Sequence, residues 1–175
     1  MLLKAIELHI KPEHFDAFSA TQSHWQALKQ VEGFLGQFGG KLDHDRYLII
    51  GLWHNHSCYQ GFINGEHDAI YDSSGQQELI ESIKVTLYGA MGDSARLRLL
   101  EQLKQQQLHT FSFKPLSSTE VGSQQQLDEM GLLYFLARER GALGILASID
   151  EKAAKLMGNA QTLSIIPAWS ISHCN

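Results

Sequence analysis

The sequence predicts an α+β fold, with a ferredoxin-like unit over residues 1–92 and a second α+β half over residues 93–175. Three observations predict it. Apolar residues alternate with period 2 in some stretches and recur at helical spacing in others. In the first half those stretches follow the order β-α-β-β-α-β, which lays two helices on one face of an antiparallel sheet. Landmark strings of the first half then recur, in the same order, in the second.

The first strand runs over 2–10, where Leu2, Ile6, Leu8 and Ile10 supply much of one apolar face. Pro12 suits the first turn of a helix, where its missing N–H removes no bond. Phe15, Phe18, Trp25 and Leu28 carry that helix to about Val31, and Gly33 stops it. A glycine-rich second strand spans 34–42, and its glycines match neither phosphate-binding loop pattern, so packing or bulges account for them. Asp43, His44 and Asp45 form a turn, and the apolar run from Tyr47 to Trp53 suits a central, buried strand. Asn55 or Ser57 caps the second helix, with Tyr59, Phe62, Ile63 and Ile70 on its apolar side. A fourth strand centres on Lys84 to Tyr88.

Beyond Gly92 the spacing predicts a helix to about Gln107, a strand over 109–115 and a long helix over 118–140. A strand over 143–149, a short helix capped by Asp150 and a last strand over 163–171 follow. Lys11-Pro12 recurs as Lys114-Pro115, and Gly33-Phe34-Leu35-Gly36 as Gly141-Ala142-Leu143-Gly144. Ile49-Ile50-Gly51-Leu52-Trp53 recurs as Ile165-Ile166-Pro167-Ala168-Trp169. These matches predict a diverged, incomplete second copy of the β-α-β-β unit that stops before a second helix and fourth strand. Such a half could cover the open sheet face within one chain, as an intramolecular pseudo-dimer. The alternative is a homodimer that buries the same face.

The bulk properties exclude several classes. Hydrophobic residues make up 43% and charged residues 19%, which suits a globular chain and not a disordered one. The net charge is −5 and no Lys/Arg cluster occurs, so a nucleic-acid partner is not expected. Cys58 and Cys174 have no metal-like spacing, which fits a reducing compartment. Lys4 and Glu7 interrupt the first apolar stretch, so it is no signal-peptide core, and no apolar run approaches the roughly 20 residues that span a bilayer. A cytoplasmic protein without a membrane partner is expected.

The string Val31-Glu32-Gly33-Phe34-Leu35-Gly36-Gln37-Phe38-Gly39-Gly40 resembles the start of the second strand in the antibiotic-biosynthesis-monooxygenase-like superfamily. Ile50-Gly51-Leu52-Trp53, followed by a helix with Tyr59, Phe62 and His67-Asp68, is similar as well. Within that superfamily the string looks most like the uncharacterised bacterial YdbC-type domain, over about residues 1–90. The resemblance implies a dimeric α/β-barrel fold. It implies cofactor-independent monooxygenase chemistry, or haem-degrading chemistry of the type that uses an Asn on the first strand and a Trp and a His on the second helix. Here those positions hold Glu7, Phe62 and His67, so two of the three depart from the haem pattern. Haem is therefore the less expected case and no cofactor the default.

His67, on the second helix, is the leading candidate as general base or ligand, although a half-buried structural His explains it too. Glu7 is a second candidate base if it points into an apolar cavity, and merely solvated if it points outward. Trp25, Trp53, Tyr59 and Phe62 could line an aromatic ligand pocket, with helix and strand core as their default role. His54 and His56 would share a strand face and could join His67 and Asp68 around a metal, but His-x-His at a strand end is a weak signal and a polar strand end explains it. Three functions follow as expectations. The first is a monooxygenase-like enzyme acting on an apolar or aromatic small molecule through a substrate carbanion and oxygen. The second is a non-catalytic protein binding haem or another apolar ligand. The third is a structural domain whose cavity the second half has filled.

Overall fold

The computed structural model describes residues 1–91, 94–116, 124–138 and 144–172. The first half runs β1 (Leu2–His9), α1 (Phe15–Thr21), a 3-10 stretch Gln22–Gln30, β2 (Phe34–Lys41), β3 (Arg46–Trp53), α2 (His56–Asn64), α3 (His67–Ser74) and β4 (Ser82–Met91). The second half runs α4 (Ser94–Lys104), β5 (Thr110–Pro115), α5 (Gln124–Glu129), β6 (Leu133–Ala137), β7 (Ile145–Ser148), α6 (Glu151–Leu156), β8 (Gln161–Ile165) and the short β9 (Ile171–Ser172). Eight strands pair in the order β3-β1-β4-β6-β7-β5-β8-β2, and β2 pairs back to β3, so the sheet closes into an antiparallel barrel within one chain. Among the described residues no helix is long and apolar enough to cross a membrane.

Each half contributes its four strands in an equivalent order, β4-β1-β3-β2 and β8-β5-β7-β6. Two seams join the halves, β4 to β6 and β2 to β8. The β2–β8 seam depends on Gly40, where a β-carbon would collide with the Ser164 carbonyl. Side chains of both halves fill the barrel. Leu3, Phe38, Ile50 and Leu52 meet Phe111, Leu133, Phe135 and Leu163, all nearly inaccessible, and Phe38 lies 5.2 Å from Phe111 between ring centres. Closure leaves none of the eight barrel strands with an unpaired edge among the described residues.

The structure corrects three expectations in the second half. No helix spans 118–140. Gly131, with φ +73°, ends α5, and the apolar, aromatic run that follows becomes β6 because β4 and β7 offer it two edges. The second copy is not incomplete. It holds β5, α5, β6, β7, α6 and β8, so Gly141 to Gly144 precede the third strand of the copy and not the second. The last strand does not run unbroken to 171, because Pro167 donates no N–H and opens a 3-10 turn over Pro167–Trp169. In the first half the expected helix to Val31 is α-helical only over Phe15–Thr21 and continues as a 3-10 stretch over Gln22–Gln30, whereas two expected helix caps are present. The Asn55 side chain accepts from the Cys58 amide at 2.9 Å, and Asp150 accepts from the amides of Lys152 and Ala153 at 2.8 and 2.9 Å. The expected second helix is broken at Gly65 into α2 and α3.

Candidate functional site

Alternation along the strands builds the site. In β1, Leu3 and Ala5 face the barrel interior, whereas Lys4, Ile6 and Leu8 face the helices. In β3, Leu48, Ile50 and Leu52 face inward, and Ile49, Gly51 and Trp53 face outward. The helices do not close completely over this outer wall. A cavity of about 310 Å³ remains, walled by β1 to β4 on one side and by α1, the 3-10 stretch, α2 and α3 on the other. Every lining residue lies between Lys4 and Val85. Ile83 and Val85 of β4 are 51% and 40% exposed and mark its open side.

The walls are largely aromatic. Trp53 stacks on Phe62 with ring centres 5.0 Å apart, and it meets Phe34 and Tyr59 edge-on at 5.3 and 5.7 Å. His67 stands at the start of α3 against three rings, stacked on Tyr71 at 5.8 Å, edge-on to Phe62 at 5.4 Å and tilted to Trp25 at 6.0 Å. Its Nδ1–H donates to Asp68 Oδ1 at 2.8 Å, because a carboxylate can only accept. That bond fixes the tautomer and leaves Nε2 as the basic nitrogen. The imidazole is partly buried, with 24% of its side chain exposed.

Three buried amides complete the polar lining. Gln76 Oε1 accepts from Trp25 Nε1 at 3.2 Å and from Gln22 Nε2 at 3.4 Å. Gln22 Oε1 is buried without a hydrogen-bond partner among the described residues, and Gln37 lies on the cavity wall of β2. Lys4 is the fixed cation. It is 9% exposed, and its Nζ sits 5.4 Å from the centre of the Tyr59 ring. Burial in apolar surroundings pushes its ammonium down to about 8 from the usual 10.5. Burial also raises the Tyr59 phenol. No carboxylate lines the cavity.

The structure thus brings together His67, Trp25, Trp53, Tyr59 and Phe62 around one cavity. Glu7 does not join them. It is exposed and faces away from the cavity wall, opposite Leu48 and Lys84 on the neighbouring strands. His54 is exposed and His56 packs near Tyr59, and neither lines the cavity with His67. Among the described residues no three His, Cys, Asp or Glu side chains gather as a metal site. Trp169 belongs to the core, where its Nε1–H donates to Ser19 Oγ at 2.9 Å. Sequence reasoning missed Lys4, although Leu2, Lys4, Ile6, Leu8 and Ile10 share one parity and place the lysine in the apolar stripe. It also missed Gln22, Gln37 and Gln76, for which no motif exists.

Residues 2–88 match a family described as a domain of unknown function, DUF4937. The uncharacterised protein YdbC of Bacillus subtilis (strain 168) is 38% identical over 92 residues, which cover 50% of this chain and 77% of that one. Several solved structures match nearly the whole chain. A candidate monooxygenase of Fusobacterium nucleatum has a TM-score of 0.59 at 8% identity, covering 98% of this chain and 94% of its own. An anthrone oxidase-like protein has a TM-score of 0.54 at 13% identity, covering 99% and 94%. At those identities the likeness concerns the fold.

Proposed function

We propose that this chain, which belongs to the family of the Bacillus subtilis protein YdbC, is a monooxygenase-type enzyme acting on an aromatic or otherwise apolar small molecule in the cavity between β1, β3 and the helices. One observation carries the reading. An apolar cavity of about 310 Å³ has on its wall a single imidazole, oriented by Asp68 and enclosed by aromatic rings, while the barrel itself is packed solid. The size suits a small ligand, since such pockets run from roughly 300 to 1,000 Å³. The fold shared with a candidate monooxygenase and an anthrone oxidase-like protein is consistent with it.

In this reading His67 Nε2 takes a proton from an activated C–H of the substrate. The carbanion, formed from an activated CH2 group, reduces dioxygen to a carbon-bound peroxide that takes the proton back from His67. Loss of the second C–H hydrogen as the O–O bond breaks leaves a carbonyl, and the other oxygen departs as water. The rings of Trp53, Phe62 and Tyr71 hold the apolar body and keep bulk water out. The reading favours a cofactor-free site over a haem site. The cavity lies at the small end of the ligand range, and Trp25, Phe62 and Tyr71 already crowd the His67 ring within 6.0 Å between centres. The second half supports the site from behind. We read the two halves as ferredoxin-like units of a dimeric α/β barrel joined in one chain, with the chain as its own pseudo-dimer. The lining argues against a cavity filled by the second half, because all of it comes from residues 4–85.

The test is oxygen uptake by chelator-treated protein, with anthrone as the probe. Uptake above the buffer rate is expected, falling about a hundredfold or more in His67→Ala. No uptake above buffer contradicts the reading.

A further inference from the structure

Lys4, Gly51 and Gln37 form a row across three adjacent strands, because Gly51 is the register partner of Lys4 on β1 and of Gln37 on β2. All three face the cavity. The bare Gly51 leaves a notch between the two polar side chains. A β-carbon placed in that notch would lie 3.4 Å from Trp53 Nε1 and 3.9 Å from Lys4 Cβ. The Lys4 stem and the Trp53 indole N–H therefore border a space the size of a methyl group, and Gln37 lies on the same cavity wall one strand away.

These groups lack the partners that comparable groups have elsewhere in the molecule. The indole N–H groups of Trp25 and Trp169 donate to Gln76 and Ser19, whereas that of Trp53 has no acceptor among the described residues. Gln37 is 6% exposed and its amide makes no side-chain hydrogen bond among them. Lys4 has no ion pair or hydrogen bond there, only the face of Tyr59. The strands beside it present Gly51 and Leu87, and the other titratable groups of the lining are Tyr59, His67 and Tyr71. A cation in apolar surroundings without a counter-ion is unfavourable, and the Trp53 and Gln37 N–H groups face the cavity without an acceptor. A negatively charged oxygen group beside Trp53 Nε1 would give that N–H an acceptor, and the unpaired Lys4 and Gln37 side chains of the same row can turn toward it.

We propose that Lys4, Trp53 and Gln37 form an anion-recognition site around Gly51, and that the ligand of the cavity is an apolar, typically aromatic, molecule carrying one anionic oxygen group, a carboxylate or an ionised enol or phenol. The anionic group seats in the notch, with Lys4 as counter-ion and the Trp53 and Gln37 N–H groups as donors. The apolar body extends along Ile49 and Phe62. This inference takes from the preceding reading only that the cavity is the ligand site.

The test is quenching of tryptophan fluorescence, since Trp25 and Trp53 both line the cavity. The probes are matched pairs, para-nitrobenzoate against para-nitrobenzamide and, at mildly alkaline pH, para-nitrophenolate against para-nitroanisole. At least one anion should bind about tenfold or more tighter than its neutral partner. The pair that shows the preference identifies the anionic group. Lys4→Met should abolish the preference. Gly51→Ala, whose methyl meets only ordinary contacts, should weaken the anion selectively. Anions binding no tighter than neutral partners, absence of binding included, overturn the proposal, and so does a preference that survives Lys4→Met. Oxygen uptake separates the two readings. Anion preference without uptake sinks the oxygenase reading alone, and uptake without anion preference sinks this one alone.

Discussion

The ammonium nitrogen of Lys4 lies 5.4 Å from the centre of the Tyr59 ring, and that aromatic face is its one partner among the described residues. A cation–π contact recovers only part of what hydration supplied. The lysine is therefore held at a cost to the fold. Its proton affinity records that cost, standing at about 8 in place of 10.5.

Lys4→Met should therefore stabilise the protein. Below pH about 8 both folded and unfolded chains carry the proton, and the folded chain bears the whole penalty, about 3 kcal/mol for a drop of this size. Between pH about 8 and 10.5 the unfolded chain binds more protons, so wild-type stability rises with pH and the advantage of the variant shrinks. Urea denaturation at neutral and at alkaline pH reads both quantities. A destabilised Lys4→Met at neutral pH would show that the ammonium has a partner beyond the Tyr59 face.

Gln76 should matter far more than its polar, loop-like surroundings suggest. Its Oε1 is the acceptor for both Trp25 Nε1 and Gln22 Nε2. Gln76→Leu strands the Trp25 indole N–H and leaves Gln22 Nε2 only its long bond to Thr21 Oγ1 at 3.5 Å, and should lower stability by about 1–3 kcal/mol. Adding Trp25→Phe to that variant removes one of the donors and should recover part of the loss. Thermal melts of the single and double variants check the coupling.

The two halves should unfold as one unit, because the barrel interior is shared. Phe111 is fully buried against Phe38 of the other half. Phe111→Ala should cost about 3–5 kcal/mol and keep a single transition. Two separate transitions would mean that the seams at β4–β6 and β2–β8 contribute little. Gly40→Val should act on the same seam by forcing β2 away from the Ser164 carbonyl.

His67 should be dispensable for folding. Its ring packs among Trp25, Phe62 and Tyr71, and a phenyl ring can replace those contacts. His67→Phe should stay within about 1 kcal/mol of wild type, whereas it should lose proton transfer as fully as His67→Ala. Circular dichroism melts alongside oxygen uptake separate packing from chemistry.

The first half was largely legible in the sequence because its signals are local. Period-2 alternation in β1 and the cap at Asn55 depend on neighbours a few residues away. The second half was less so, because β6 is a strand only where β4 and β7 receive it, and its apolar run by itself fits a helix face equally well. The repeated strings point to a second half that covers the sheet of the first, although their register slips by one strand because the apolar run of β6 reads as helix. The aromatic wall followed from spacing along α2. The Gly51 notch could not, since it joins residues of β1, β2 and β3 that are far apart in the chain and carry no shared motif.

If chemistry takes place in the cavity between the outer barrel wall and the helices, filling that space must stop it. Ile63→Trp adds bulk at the lining without touching His67 or Lys4 in sequence. The measurement is oxygen uptake with anthrone by wild type and by this variant, with folding checked by circular dichroism. The account predicts uptake by wild type and its loss in a folded Ile63→Trp. Undiminished uptake by the filled variant would place the chemistry elsewhere in the molecule and contradict the account.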